Sequence, residues 1–147
     1  MNTITKVGLM SEYRKNELIF LNELETQLGE NWSLTKSKSE HCNIDFVVRR
    51  NNKVIGYMEL KCRSGLSKYP SLMIGYTKLQ QINLKYKQTI FVWFCVDTQT
   101  IWSCKYDEDL LNSDDGFCNG SRVYYICKSK CVVGMEALLH LVSIKRW

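Results

Sequence analysis

Acidic residues almost vanish from the middle of this 147-residue chain: between Phe46 and Ile90 there are nine Lys or Arg residues and one acid, Glu59. The whole chain carries only +5, so the basic excess is local. Arg49, Arg50, Lys53, Arg63, Lys68, Lys78, Lys85 and Lys87 suit a surface that holds a polyanion through its phosphates, although an acidic protein partner would suit it too. Other absences exclude whole classes. No apolar run approaches the roughly 20 residues of a spanning helix, and the N-terminus lacks the apolar segment of a secretory signal. The chain therefore reads as a non-membrane protein of the cytoplasm or another intracellular compartment. Walker and dinucleotide-binding glycine loops are both missing. With no long linker, low-complexity tract or repeat, residues 1–147 read as one domain, large enough to bury roughly two-thirds of its unfolded surface.

Metal-ligand spacing is absent as well. The seven cysteines, Cys42, Cys62, Cys95, Cys104, Cys118, Cys127 and Cys131, include no C-x-x-C pair, and the two histidines, His41 and His140, lie far apart. Most of these thiols alternate into apparent strands, which suits reduced, half-buried cysteines; a zinc site assembled from distant residues is the alternative. His41 lies near Asp45, where an ordinary hydrogen bond is the simpler role for it. The acidic stretch Asp107 to Asn119 lacks the central Gly and terminal Glu of a calcium loop, and reads as a solvated connection.

What the chain does contain is concentrated between Asn43 and Arg63. Two apolar, β-branched runs flank Asn51-Asn52, which is turn chemistry, so the stretch reads as a hairpin carrying Asp45, Glu59 and Lys61. Side chains alternate faces along a strand, so Asp45, Val47 and Arg49 share one face of the first half, and Tyr57, Glu59, Lys61 and Arg63 share one face of the second. Asp45 meets Glu59 only if the loop has an odd number of residues or the hairpin contains a bulge; a three-residue Asn51-Asn52-Lys53 loop would provide this. Two carboxylates so opposed, about 4.5–5.5 Å apart at Cβ, repel unless a cation lies between them. A hard divalent ion suits that place, since Mg²⁺ takes one or two carboxylates, retained waters and a substrate phosphate. The plainer reading of Glu-Leu-Lys is a cross-strand charge pair on an exposed sheet.

Two helices flank this hairpin in the sequence. From Glu12 to Leu28, Leu21, Leu24 and Leu28 recur at helical spacing before Gly29, and Glu17 falls on the same stripe, where burial is costly unless it is paired or metal-bound. The alternative is that Glu17 reaches solvent or a basic partner from the stripe's margin. Arg63 to Pro70 is a loop holding the single proline, Ser71 to Ile74 is a short extended piece, and Tyr76 to Lys87 reads as a helix with Leu79, Ile82 and Tyr86 inward. Lys78, Gln81 and Lys85 line one face of it, available to phosphates or simply solvated. Thr89 to Val96 reads as a buried central strand, Ile101 to Tyr106 as its hairpin partner, Arg122 to Cys127 and Lys130 to Val133 as strands, and Met135 to Ile144 as a helix. Trp102, Tyr124 and Tyr125 suit base stacking, but buried aromatics are the commoner case.

Asp45, then Glu59-Leu60-Lys61 one strand later, with an acidic residue on the apolar stripe of the helix before and a basic helix after, resembles the PD-(D/E)XK nuclease superfamily over roughly Glu12 to Val96. Ile44 stands where the family name has proline. The resemblance implies an α/β (α+β) restriction-endonuclease-like domain, with a central mixed sheet flanked by helices, core order α-β-β-β-α-β, and added C-terminal strands and helix. It implies Asp45, Glu59 and Lys61 as catalytic residues with Glu17 contributing. Mg²⁺, or Mn²⁺ in its place, would be held by Asp45, Glu59, Glu17 and the Leu60 carbonyl. DNA is the implied partner, with RNA open, contacted by Lys78, Gln81, Lys85, Arg63, Lys68 and Arg49; a homodimer is an allowed form. Restriction enzymes, junction resolvases and viral or phage nucleases all fit, a viral one acting inside its host cell. The rival expectation is a nuclease-like module that binds nucleic acid without cutting it, or a protein-interaction module such as a viral antagonist of a host factor.

Overall fold

In the computed structural model, residues 12–37 and 44–143 are described. Helix α1 (Glu12–Leu28) buries Phe20, Leu21 and Leu24 and stops where Gly29 takes a φ of 105° that a side chain would resist. Glu25 then tethers the next segment, its Oε2 accepting from the Leu34 N–H at 3.0 Å. Strands β1 (Trp32–Lys36), β2 (Phe46–Arg50) and β3 (Lys53–Arg63) form an antiparallel run. Strand β4 (Ser71–Gly75) leads directly into α2 (Tyr76–Lys85), and β5 (Thr89–Cys95) returns parallel to β3. Strand β6 (Thr100–Lys105) pairs with β5; the remaining elements are β7 (Asp114–Cys118), β8 (Ser121–Cys127), β9 (Val132–Val133) and α3 (Met135–Ser143).

The main sheet is mixed, with strand order β1-β2-β3-β5-β6-β9, and a second sheet runs β4-β8-β7. β3 and β5 are therefore central, buried on both faces, and their pairing is the parallel one. One core lies between the main sheet and α1 with α3, around Leu24, Val48, Met58, Leu60 and Leu138. The other lies on the opposite face, where α2 and the small sheet pack Leu79, Ile82, Ile74, Ile126, Phe91 and Trp93. No helix among the described residues is long and apolar enough to cross a membrane.

Three expectations change. Asp107 to Asn119 is not wholly a loop, because Asp114–Cys118 forms strand β7, held to β8 by the ladder and by an Arg122–Asp115 ion pair at 2.9 Å. Its Asp-Asp-Gly sequence has poor intrinsic strand preference, which pairing overrides. Lys130 to Val133 is a strand only at Val132–Val133, since Lys128–Lys130 is a 3-10 turn. Helix α2 stops at Lys85, with the Tyr86 N–H bonded back to the Ile82 carbonyl at 2.8 Å. The last turn expected at Ile144, and His41 and Cys42, lie outside the described residues.

Candidate active site

The hairpin reaches its register by a different route from a three-residue loop. Asn51 and Asn52 form a two-residue turn, both at positive φ (53° and 66°), the geometry that matches strand twist and that Asn tolerates. From there Arg50 faces Lys53 and Arg49 faces Val54, a register that would bring Asp45 opposite Met58. A bulge intervenes: Val48 faces Gly56, Ile55 is the extra residue, and Phe46 faces Met58. Carried one residue further, the shifted register sets Asp45 opposite Glu59.

Asp45 itself sits in a bend just before β2, and the two acids lock each other's backbones. The Asp45 N–H donates to Glu59 Oε1 at 2.9 Å, and Asp45 Oδ2 accepts from the Leu60 N–H at 3.2 Å. Lys78 reaches in from α2, its Nζ 3.1 Å from Glu59 Oε2 and 3.8 Å from Asp45 Oδ1. Glu59 is 4% exposed, whereas Asp45 is 30% exposed, so the pair has a dry member and a wet one. Burial pushes the Glu59 carboxyl up to about 7, and the Asp45 charge adds to the rise while Lys78 opposes it. Lys61, on the same face of β3 and half-buried, is lowered from its ordinary value, chiefly by desolvation, with Glu59 resisting.

On the other side of β3, α1 contributes a residue that the hairpin pattern did not reveal. Tyr13 Oη donates to the Leu60 carbonyl at 3.1 Å, and the Arg63 guanidinium lies 4.4 Å from its ring centroid. Burial first, then the charges of Glu17 and Asp45, push its hydroxyl up to about 12. Tyr13 thus touches the hairpin through the Leu60 carbonyl, next to Glu59 in the chain. The available signal was its place four residues before Glu17, on the same stripe of α1. Glu17 is buried, at 5% exposure, the inward of the two positions its stripe allowed, and its charge helps raise Cys62 to about 12. It does not gather with Asp45 and Glu59: among the described residues no three His, Cys, Asp or Glu side chains are grouped as a metal-ligand set.

Among the described residues, the remaining candidates form no hydrogen bond or ion pair with Asp45 or Glu59, and they differ in exposure. Lys68 and Lys85 are exposed; Arg63 is exposed with its Nη1 bonded to the Cys62 carbonyl at 2.9 Å; Gln81 is half-buried on α2. Arg49 is anchored by Thr35 Oγ1 at 2.6 Å. Tyr124 and Trp102 are buried, Tyr124 stacked on Tyr76 and Trp102 covered by the Lys128 ammonium, so neither ring face is open to a base.

No family model matches the chain, and no curated protein does. Among solved structures it is similar to D212, a nuclease from a fusselovirus, with a TM-score of 0.52 and 12% identity over 87% of this chain and 85% of that one. At that identity the likeness is one of fold. The chain has a nuclease-like α+β fold, with a mixed central sheet and a helix on either face.

Proposed function

We propose that this protein is a metal-dependent nuclease of the PD-(D/E)XK type that hydrolyses DNA phosphodiester bonds. The observation that carries the reading is the bulged hairpin, which holds the Asp45 and Glu59 carboxylates against one cation with Lys61 on the same face. The Lys78 ammonium between the two acids is evidence that the donor set suits positive charge. Asp45 and Glu59, with the Leu60 carbonyl, would hold Mg²⁺ or Mn²⁺, and Glu17 would contribute through water. When bound, the ion supplies Lewis-acid charge at the phosphate and lowers the pKa of a bound water.

This chain's own groups do the rest. Tyr13 fixes the Leu60 carbonyl, and the Leu60 N–H fixes Asp45, so ligand positions are set by backbone rather than by flexible stems. Lys61 orients the attacking water or takes its proton, a role its lowered pKa favours, and its charged form offsets charge on the phosphate. Arg63, Lys68, Lys85, Gln81 and Arg49 would hold flanking phosphates.

The test is incubation of the protein with linear, nicked, branched and single-stranded DNA, and with RNA, in Mg²⁺ or Mn²⁺ beside Glu59→Ala. Metal-dependent cutting that is lost in Glu59→Ala is the expected result. DNA affinity without cutting in either metal would instead identify a non-cleaving nucleic-acid-binding module.

A further inference from the structure

We infer that Lys78 is an internal placeholder cation: it holds Asp45 and Glu59 together until a metal ion takes over their charge, and it then passes to a phosphate of the nucleic acid. This rests on the reading of the two acids as metal ligands and adds the step that couples metal to substrate. Lys78 Nζ lies 3.2 Å from Glu59 Oε1 and 3.1 Å from Oε2, so it spans the same carboxylate a metal would use, and it is 3.8 Å from Asp45. Mg²⁺ bound to those oxygens, at about 2.0–2.1 Å, would leave no room for an ammonium at hydrogen-bond distance, and the two cations repel.

The placement favours Lys78 over its neighbours for this part. Lys61 rises from the central strand β3 and is half-buried, so it has little freedom to leave. Lys87 is occupied by Glu108 at 3.2 Å. Lys78 sits in the first turn of α2 on a long stem that is 29% exposed, and it can swing outward without moving the backbone. Released by that ion, Lys78 would remain beside the two acids on its long stem, placed to meet the phosphate the ion would hold. Metal and polyanion therefore favour each other's binding through this one side chain.

The experiment measures Mn²⁺ affinity of the full chain by calorimetry without nucleic acid. Lys78→Gln should bind Mn²⁺ more tightly by about 5-fold or more, the lower end of ordinary coupling between sites. Lys53→Gln, the same charge loss at the exposed hairpin turn, should leave the affinity unchanged. In a Lys61→Ala background, chosen to prevent cutting, duplex DNA should tighten Mn²⁺ when Lys78 is present and tighten it much less with Lys78→Gln. If that variant does not fold, the Lys78 side-chain NMR signal of the wild-type protein decides: it should move to a solvated position as Mg²⁺ saturates. Unchanged affinity in Lys78→Gln, equal effects from Lys53→Gln, or an unmoved Lys78 signal would overturn the inference while leaving a metal-binding wild type intact. A wild type that binds no Mn²⁺ removes both the inference and the reading beneath it.

Discussion

Glu59 concentrates the site's energetics in one carboxyl. Its pKa stands at about 7 against an ordinary 4.5, because burial and Asp45 together outweigh Lys78. The metal-free fold therefore binds this proton more tightly than the unfolded chain does. The resulting stabilisation is complete below pH 4.5 and is lost as pH rises through 7. At about 1.4 kcal/mol per pH unit, this is a loss of about 3 kcal/mol across the window, with Asp45, Lys61 and Lys78 as the charges that shape it. Denaturant titrations in chelator at a series of pH values check it, and Glu59→Gln should flatten the difference. On the catalytic side, Asp45→Ala, Glu59→Ala and Lys61→Ala are each expected to lower the cleavage rate by about 100-fold or more, with circular dichroism still showing a folded protein. Undiminished cutting by both carboxylate variants would remove the assignment.

Among the elements, the β2–β3 hairpin decides whether there is a site. Its two-residue turn alone would align Asp45 with the apolar Met58, and the single extra residue Ile55 shifts the alignment to Glu59. The turn depends on Asn51 and Asn52 tolerating positive φ. Asn52→Val should therefore cost about 1–2 kcal/mol of stability, read as a lower denaturant midpoint, because a β-branched side chain resists the left-handed region. Asn52→Gly should be neutral or stabilising. A valine variant as stable as wild type would mean that the turn reorganises easily and does not hold the register.

For the whole molecule, the basic excess between Phe46 and Ile90 sets the expected behaviour toward polyanions. If about five of those side chains contact duplex DNA, affinity should fall roughly 500-fold between about 50 and 200 mM salt, from a log–log slope near −0.9 per contact. Charge reversal at Lys68 and Lys85, both exposed and both within the chain's basic segment, should lower both affinity and slope. Reversal at Lys15 and Lys130, which already pair with Glu12 and Asp109, should do much less. Fluorescence anisotropy across a salt series distinguishes the cases, and a salt-insensitive affinity would point to a protein partner for this surface.

The helix bounds Glu12–Leu28, the buried strand β5 and the shared face of Glu59 and Lys61 were all legible in the chain, because each depends on periodicity within one element, whereas Glu17 was left between burial and the stripe's margin until packing buried it. So was the condition on the hairpin, that Asp45 and Glu59 meet only through an odd loop or a bulge. Which of the two occurs was not legible, since a bulge is chosen by how both strands pack on the two cores rather than by turn residues alone. Strand β7 escaped for a related reason: its residues lack strand preference, and only the neighbouring β8 makes them one. Tertiary structure alone brought Tyr13 to the Leu60 carbonyl across 47 residues and Lys78 to Glu59 across 19. Such contacts are set by how helices seat on opposite faces of the sheet, so the stripe of α1 and the basic face of α2 name the candidates while packing alone selects their partners.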